Sequence, residues 1–174
     1  MEAIDTAALG LRLVIGIVML AHGIKHLRGR EKTSRWFGSI GFKAPQLQWF
    51  FSTATEIGVG VLLIVGFGTS LAIMGTVAIM TVAFISVHRK AGFWITARPD
   101  EGYEYVLTLA VTAAALAAIG AGSWSIDAAI ELDGQAVTVL LDEWVGIGLA
   151  LGGIAAGIGQ TIIFFRPDSA VQTG

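Results

Sequence analysis

The feature that most constrains this chain is a series of apolar blocks, each close to the length of a helix that crosses a lipid bilayer. A charged side chain in the hydrocarbon core costs at least about 2.5 kcal/mol unless it faces protein or a wet cavity. The first block, residues 8–28, nevertheless carries four ionisable side chains before its terminal Arg28: Arg12, His22, Lys25 and His26. This block therefore needs other helices around it that supply counter-charges.

Composition agrees with a membrane protein. Of the 174 residues, 55% are hydrophobic and only 14% are charged, whereas a soluble domain has about 25% charged residues. The formal net charge of −2 gives no basis for a nucleic-acid partner. Because the chain has no cysteine, disulfides, thiol nucleophiles and iron–sulfur ligation are excluded.

Five apolar blocks predict five spanning helices and an all-α helical bundle, at about 7–27, 48–67, 70–87, 104–121 and 144–165. We divide the chain into a four-helix core, residues 1–130, and a second part, residues 131–174. The second part contains an acidic connection, the fifth span and a short tail. Residues 135–141 alternate briefly between apolar and polar types, which fits either a strand or a turn.

The segment 28–47 between the first two spans is basic and aromatic. It fits equally well a segment lying at the headgroup level and an ordinary solvated loop. Pro45 is expected to mark a break just before the second span.

The cations are distributed unevenly along the chain. With five spans, and with Lys25 at the end of the first span counted in the connection that follows, every Lys and Arg except Arg12 falls on the connections and tail of one side. The other side carries only acids: Glu2, Asp5, Asp127, Glu131 and Asp133. The positive-inside rule then predicts an external N-terminus and a cytoplasmic C-terminus.

Matching depths along the spans predicts a polar layer in the cytoplasmic half of the bundle. Six residues are expected to converge there as pocket or ligand-binding candidates: His22, Lys25, His26, Glu56, His88 and Glu104. Arg12 lies in the outer half, where we expect an ion pair with Asp127. Asp142 and Glu143 are alternative partners for Arg12.

This layer has a structural and a functional interpretation. Glu56 could pair with Lys25 or His22 and fix the helix register. Alternatively, a pocket could offer His22, Glu56 and His88 to the two carbonyl oxygens of a quinone, with histidine as the proton donor. The spacing of His22 and His26 also suits a metal, but Lys25 is adjacent, and we predict no metal site and no catalytic residue.

The fifth span carries small residues four apart, which let helix backbones approach closely. These are Gly148, Gly152, Gly153 and Gly157. They could form a seam with a second copy or a partner, or pack against helices of the same chain, which we favour.

A dispersed set of motifs resembles the DoxX family of small bacterial and archaeal membrane proteins. The motifs are R-x3-G-x5-HG-x-K from Arg12 to Lys25, FGSIGFKAP, E-x-G-x-G-x-LL-x2-G-x-G-T from Glu56 to Thr69, MTVAFISVH, GYEYVLTLA and GAGSWSID. The resemblance covers about residues 8–130, with Ala121 where the family commonly has proline. It implies a four-span core, so the fifth span lies outside it.

Some family members are similar to membrane subunits of thiosulfate:quinone oxidoreductases, and others associate with redox-stress enzymes. The resemblance therefore implies an auxiliary or anchoring subunit in the plasma membrane of a prokaryote, in quinone- or thiol-linked metabolism. Quinone is the implied cofactor, and the implied partners are the lipid bilayer, a cytoplasmic redox enzyme and further copies of the chain. A transporter of small solutes or lipids and a purely structural scaffold remain as alternatives.

Overall fold

The computed structural model describes residues 2–130 and 142–167. The helices are α1 (Glu2–Arg28), α2 (Arg30–Ser39), α3 (Pro45–Val65), α4 (Thr69–Ser86), α5 (Glu104–Ile119), α6 (Ile126–Ala129) and α7 (Glu143–Phe164), with a 3₁₀ turn at His88–Lys90. The described residues contain no β-strand, so the predicted all-α class is confirmed. The open question at residues 135–141 lies outside the described residues, as do Glu131, Asp133 and the chain from residue 168.

Among the described residues, four helices are long and apolar enough to cross a membrane: α1, α3, α4 and α7. The fourth predicted span is instead the 16-residue helix α5, which stops at Gly120. It still connects opposite ends of the bundle, because its start bonds to the 92–95 turn and the segment after it bonds to Asp5 of α1. The helix ends two residues before the predicted limit at 121, and the segment 120–127 then folds back onto the bundle.

The two ends of the bundle differ in charge. The acidic end holds the start of α1, the α3–α4 turn, the segment 120–127 and the start of α7, with Glu2, Asp5 and Asp127. The basic end holds α2, the start of α3, the segment 88–103 and the end of α7, and all the cations of these connections. The charge separation predicted from the sequence is therefore a property of the fold.

Glycines bring α1 and α3 unusually close together. A Cβ on Gly16 would lie 3.0 Å from the carbonyl oxygen of Gly60, and a Cβ on Gly60 would lie 2.7 Å from the amide nitrogen of Leu20. A Cβ on Gly23 would lie 2.9 Å from the amide nitrogen of Ile57. These glycines form a seam along which the backbones touch, as small residues do in membrane helix pairs.

The glycine face of α7 divides into two parts. Gly153 and Gly157 are buried against α4, where an added Cβ would meet the carbonyl oxygens of Met74 and Ala78. Gly148 has no neighbouring atom within 4 Å, and Gly152 meets only the Met74 methyl at 3.9 Å. The four predicted residues therefore do not form one packing face, because a helix turns about 100° per residue and places positions five apart on different sides.

An aromatic cluster closes the basic end. The buried rings of Phe37, Phe42 and Phe165 pack together, and the amide of Lys43 donates to the carbonyl of Phe164 at 2.8 Å. Half of the segment predicted as either a membrane-surface segment or a loop is thus the helix α2, which buries Phe37. Pro45 begins α3, at the break that the sequence predicts.

The α1–α3 seam yields a paired prediction on two glycines of one helix. Gly60→Ala should destabilise the fold by about 1–3 kcal/mol, because the new methyl group has no space beside Leu20. Gly58→Ala is the matched control, because nothing lies within 4 Å of its Cβ position, and it should be neutral or slightly stabilising. Thermal unfolding of both variants in one detergent measures the difference, and equal melting temperatures would contradict the seam.

Candidate functional site

The centre of the predicted polar layer is an ion pair between α1 and α3. His26 Nδ1 lies 2.8 Å from Glu56 Oε2, with the Glu56 side chain 6% exposed and the His26 side chain 21% exposed. The neighbouring Gly23 allows this contact, since a Cβ there would lie 3.1 Å from the Cβ of Glu56. The structure therefore pairs Glu56 with His26, whereas the sequence suggested Lys25 or His22.

Glu56 retains unused capacity to accept a hydrogen bond. Its Oε2 is buried, and none of the described residues offers it a hydrogen bond of good geometry, although the His26 ring is close. His26 Nδ1 also lies 3.5 Å from the hydroxyl of Ser52. A buried carboxylate oxygen without an aligned donor costs free energy, and the His26 ring at 2.8 Å is the group placed to offset that cost.

Beside the pair, two aromatic rings stack between α1 and α5. The His22 and Tyr105 ring centroids are 6.1 Å apart with an interplanar angle of 18°. His22 also meets His26 edge-on at 6.4 Å. Because His22 is exposed and Tyr105 is half-buried, an imidazole and a phenol are accessible from the side of the bundle next to a buried acid–base pair.

Three of the six predicted layer residues lie elsewhere. Lys25 is exposed on α1 and is not part of the pair. His88 Nδ1 bonds to the carbonyl oxygen of Glu101 at 2.7 Å, and Glu104 Oε2 accepts from the amide of Ile95 at 3.1 Å. His88 and Glu104 thus organise the 88–103 connection. The depth argument placed them at the correct end but could not show which way their side chains point.

Sequence reasoning did not assign three contributors to this site. Tyr105 and Ser52 are not among the six residues predicted for the polar layer. Trp49 donates its indole N–H to the carbonyl oxygen of His26 at 2.8 Å, which fixes the end of α1 against α3. A sequence signal existed only for Tyr105, which follows Glu104 in the first turn of a helix that starts at the predicted layer.

At the acidic end, Arg12 does not form the predicted ion pair with Asp127. Arg12 is 1% exposed, and its guanidinium donates to the carbonyl oxygens of Leu63, at 3.3 Å, and of Trp124. No nitrogen of Arg12 lies within 4.0 Å of an Asp127 carboxylate oxygen. Arg12 instead donates to backbone carbonyls near the end of α3 and in the segment 120–127. Partners of this kind cannot be predicted from the sequence.

Asp127 has a different role at the same end. Its two carboxylate oxygens accept from the amides of Gly68, at 2.7 Å, and Thr69, at 2.9 Å, at the N-terminus of α4. Its own amide donates to the carbonyl of Gly66 at 2.8 Å. Asp127 therefore caps α4, and the family-like segments at Arg12, Gly66–Thr69 and GAGSWSID meet at one place.

Neither Asp142 nor Glu143, the alternative partners considered for Arg12, replaces Asp127. Asp142 caps α7 through the amides of Trp144 and Val145, and the side chain of Glu143 lies outside the described part of the chain. Within residues 2–130 and 142–167, no group of three or more His, Cys, Asp or Glu side chains could hold a metal ion.

An open cleft of about 610 Å³ lies at the basic end, lined by Arg30, Ala44, Pro45, Gln46, Leu47, Trp49 and Phe50. None of the six predicted pocket residues lines it. Trp49 nevertheless links the two places, because its ring forms a wall of the cleft while its N–H bonds to His26.

Comparisons with known proteins agree with the sequence motifs. The DoxX family profile matches residues 7–89, from α1 through the 3₁₀ turn. A Bacillus subtilis (strain 168) protein named "Putative oxidoreductase CatD" is 33% identical over 110 residues, which cover 62% of this chain and 76% of that protein. No solved structure matches the chain.

Proposed function

The chain belongs to the DoxX family, and we propose that it is an accessory membrane subunit of a redox system that binds a quinone headgroup beside Glu56. The observation that carries this proposal is the buried His26–Glu56 pair next to the accessible His22–Tyr105 stack. The oxidoreductase name of the Bacillus subtilis relative supports the redox class.

The donor set fits a quinone headgroup. Its two carbonyl oxygens accept hydrogen bonds, and the N–H of His22 and the phenolic O–H of Tyr105 are donors. The stacked faces of these two rings also provide an aromatic surface against which a planar ring can pack. Because His22 lies six residues before the end of α1, it is about 9 Å inside that end, within reach of a molecule dissolved in the bilayer.

The buried pair has a separate role in this proposal. When bound, a quinone supplies a two-electron, two-proton acceptor. His26 and Glu56 are in contact near the basic end, where His26 is partly exposed to solvent. They can therefore return a proton to the site after His22 or Tyr105 has given one up.

Electrons must come from elsewhere, because the side chains of this site carry no redox centre. We propose that a soluble oxidoreductase with its own cofactor docks at the basic end and reduces the quinone. Exposed cations of α2 and of the 88–90 turn would attract an acidic surface of that partner.

A structural scaffold is the second candidate, and burial of Glu56 favours it. A side chain that is 6% exposed and paired with His26 is what a helix-register lock requires. A transporter gains no such support, because the bundle centre between the two ends is filled by apolar side chains such as Ile15, Leu63 and Leu116, each 0% exposed.

Tyr105→Phe tests quinone binding by removing one hydroxyl group. It should weaken the binding of decylubiquinone and of menadione by about fivefold, because one hydrogen bond to the headgroup is lost. Tryptophan-fluorescence quenching of the purified full chain in nanodiscs measures the affinity.

Tyr103→Phe is the matched control, since Tyr103 packs edge-on against Phe84 and Phe93 away from the site. The control should bind like the parent chain. If Tyr105→Phe also binds like the parent, or if neither quinone shows saturable binding, the quinone proposal fails and the scaffold remains.

We also propose that the basic end faces the cytoplasm, in accordance with the positive-inside rule. The chain has no cysteine, so single-cysteine variants report orientation directly. A membrane-impermeant maleimide should label Ser123→Cys in intact cells and Lys32→Cys only after permeabilisation. The reverse pattern would show the opposite orientation.

A further inference from the structure

The cleft at the basic end combines one cation with an apolar wall. Arg30 stands at its edge with the guanidinium carbon 5.0 Å from the centroid of the Trp49 ring. The Trp49 ring is itself held by its hydrogen bond to His26. Stacking on an anchored indole restricts Arg30 to the cleft while the N–H groups along the guanidinium edge remain available to a ligand.

The floor of the cleft is the first turn of α3. Ala44 precedes the helix in the left-handed region, at a φ of 51°, and no side chain caps this N-terminus. Pro45 has no N–H, and the amide of Gln46 lies in the first turn, where no intrahelical acceptor is available. The positive end of a 21-residue helix therefore lies beside the Arg30 cation.

The wall that continues along α3 is apolar and exposed. Leu47 is 40% exposed and Phe50 is 55% exposed, and their spacing of three places both on one side of the helix. Because α3 is one of the helices long and apolar enough to cross a membrane, this side faces lipid tails. The cleft thus changes from cationic to apolar within about one helical turn.

The surroundings favour an anion from the membrane. Residues 28–47 contain five Lys and Arg side chains and one carboxylate, Glu31, which lies 3.5 Å from Arg35 on the exposed side of α2. A basic pocket between helices at the membrane surface suits an anionic lipid headgroup. A soluble ligand would leave the apolar wall unused.

We propose that this cleft binds one anionic phospholipid, with its phosphate between Arg30 and the first turn of α3 and its acyl chain along Leu47 and Phe50. The site is independent of the quinone proposal, since it shares none of the residues assigned to the headgroup. A bound lipid would restrict the Trp49 ring, and the hydrogen bond from Trp49 would in turn restrict the end of α1 that carries His26.

Native mass spectrometry of the purified full chain tests this site. Phosphatidylglycerol should bind about fivefold more tightly than phosphatidylcholine with the same acyl chains. Arg30→Gln should abolish that preference, and Arg30→Lys should retain part of it. Lys32→Gln is the matched control, because it removes one cation from α2 outside the cleft and should leave the preference unchanged.

Three results would overturn the proposal. Equal binding of the two lipids by the parent chain would remove the anionic site. Equal losses in Arg30→Gln and Lys32→Gln would indicate a diffuse surface potential. Displacement of the lipid by an equal concentration of glycerol phosphate would show that the acyl chain contributes nothing and that the ligand is a free phosphate ester.

Discussion

The structure depends on one constraint: polar groups buried in a membrane bundle must find partners at the same height on neighbouring helices. In this chain, α1 and α3 carry the two most demanding groups, Arg12 and Glu56. Their partners are the backbone carbonyls of Leu63 and Trp124 in one case and the His26 ring in the other. The glycine seam between α1 and α3 makes the second of these contacts short.

Much of this arrangement was predictable from the sequence. The apolar blocks predicted the helices, the cations predicted the two ends, and the depths of His26 and Glu56 placed both in one layer, although Lys25 or His22 was the expected partner of Glu56. The partners of Arg12 and Asp127 were not predictable, because both side chains bond to the backbone, and backbone groups of loops leave no sequence signal. The prediction that His88 and Glu104 belong to the polar layer was wrong for a different reason. The depth of a residue fixes its height in the bundle but not the direction in which its side chain points around the helix.

The two ends of the bundle divide the chemical tasks. At the acidic end, Arg12 and Asp127 form hydrogen bonds to the backbone that hold the α3–α4 turn against the segment 120–127. This end therefore has a structural role. At the basic end, the His26–Glu56 pair, the His22–Tyr105 stack and the Arg30 cleft retain hydrogen-bonding or charge capacity. Membership in the DoxX family fits this division, because the profile match contains α1, α2 and α3, which carry His22, His26, Arg30 and Glu56.

A double-mutant cycle on His26→Gln and Glu56→Gln tests the central claim most directly. Thermal unfolding of the parent chain, both single variants and the double variant gives the coupling energy between the two side chains. The account predicts a favourable coupling of about 1–3 kcal/mol, because each single change leaves one buried polar partner unmatched. A coupling energy of zero would show that Glu56 and His26 act independently and would contradict the account.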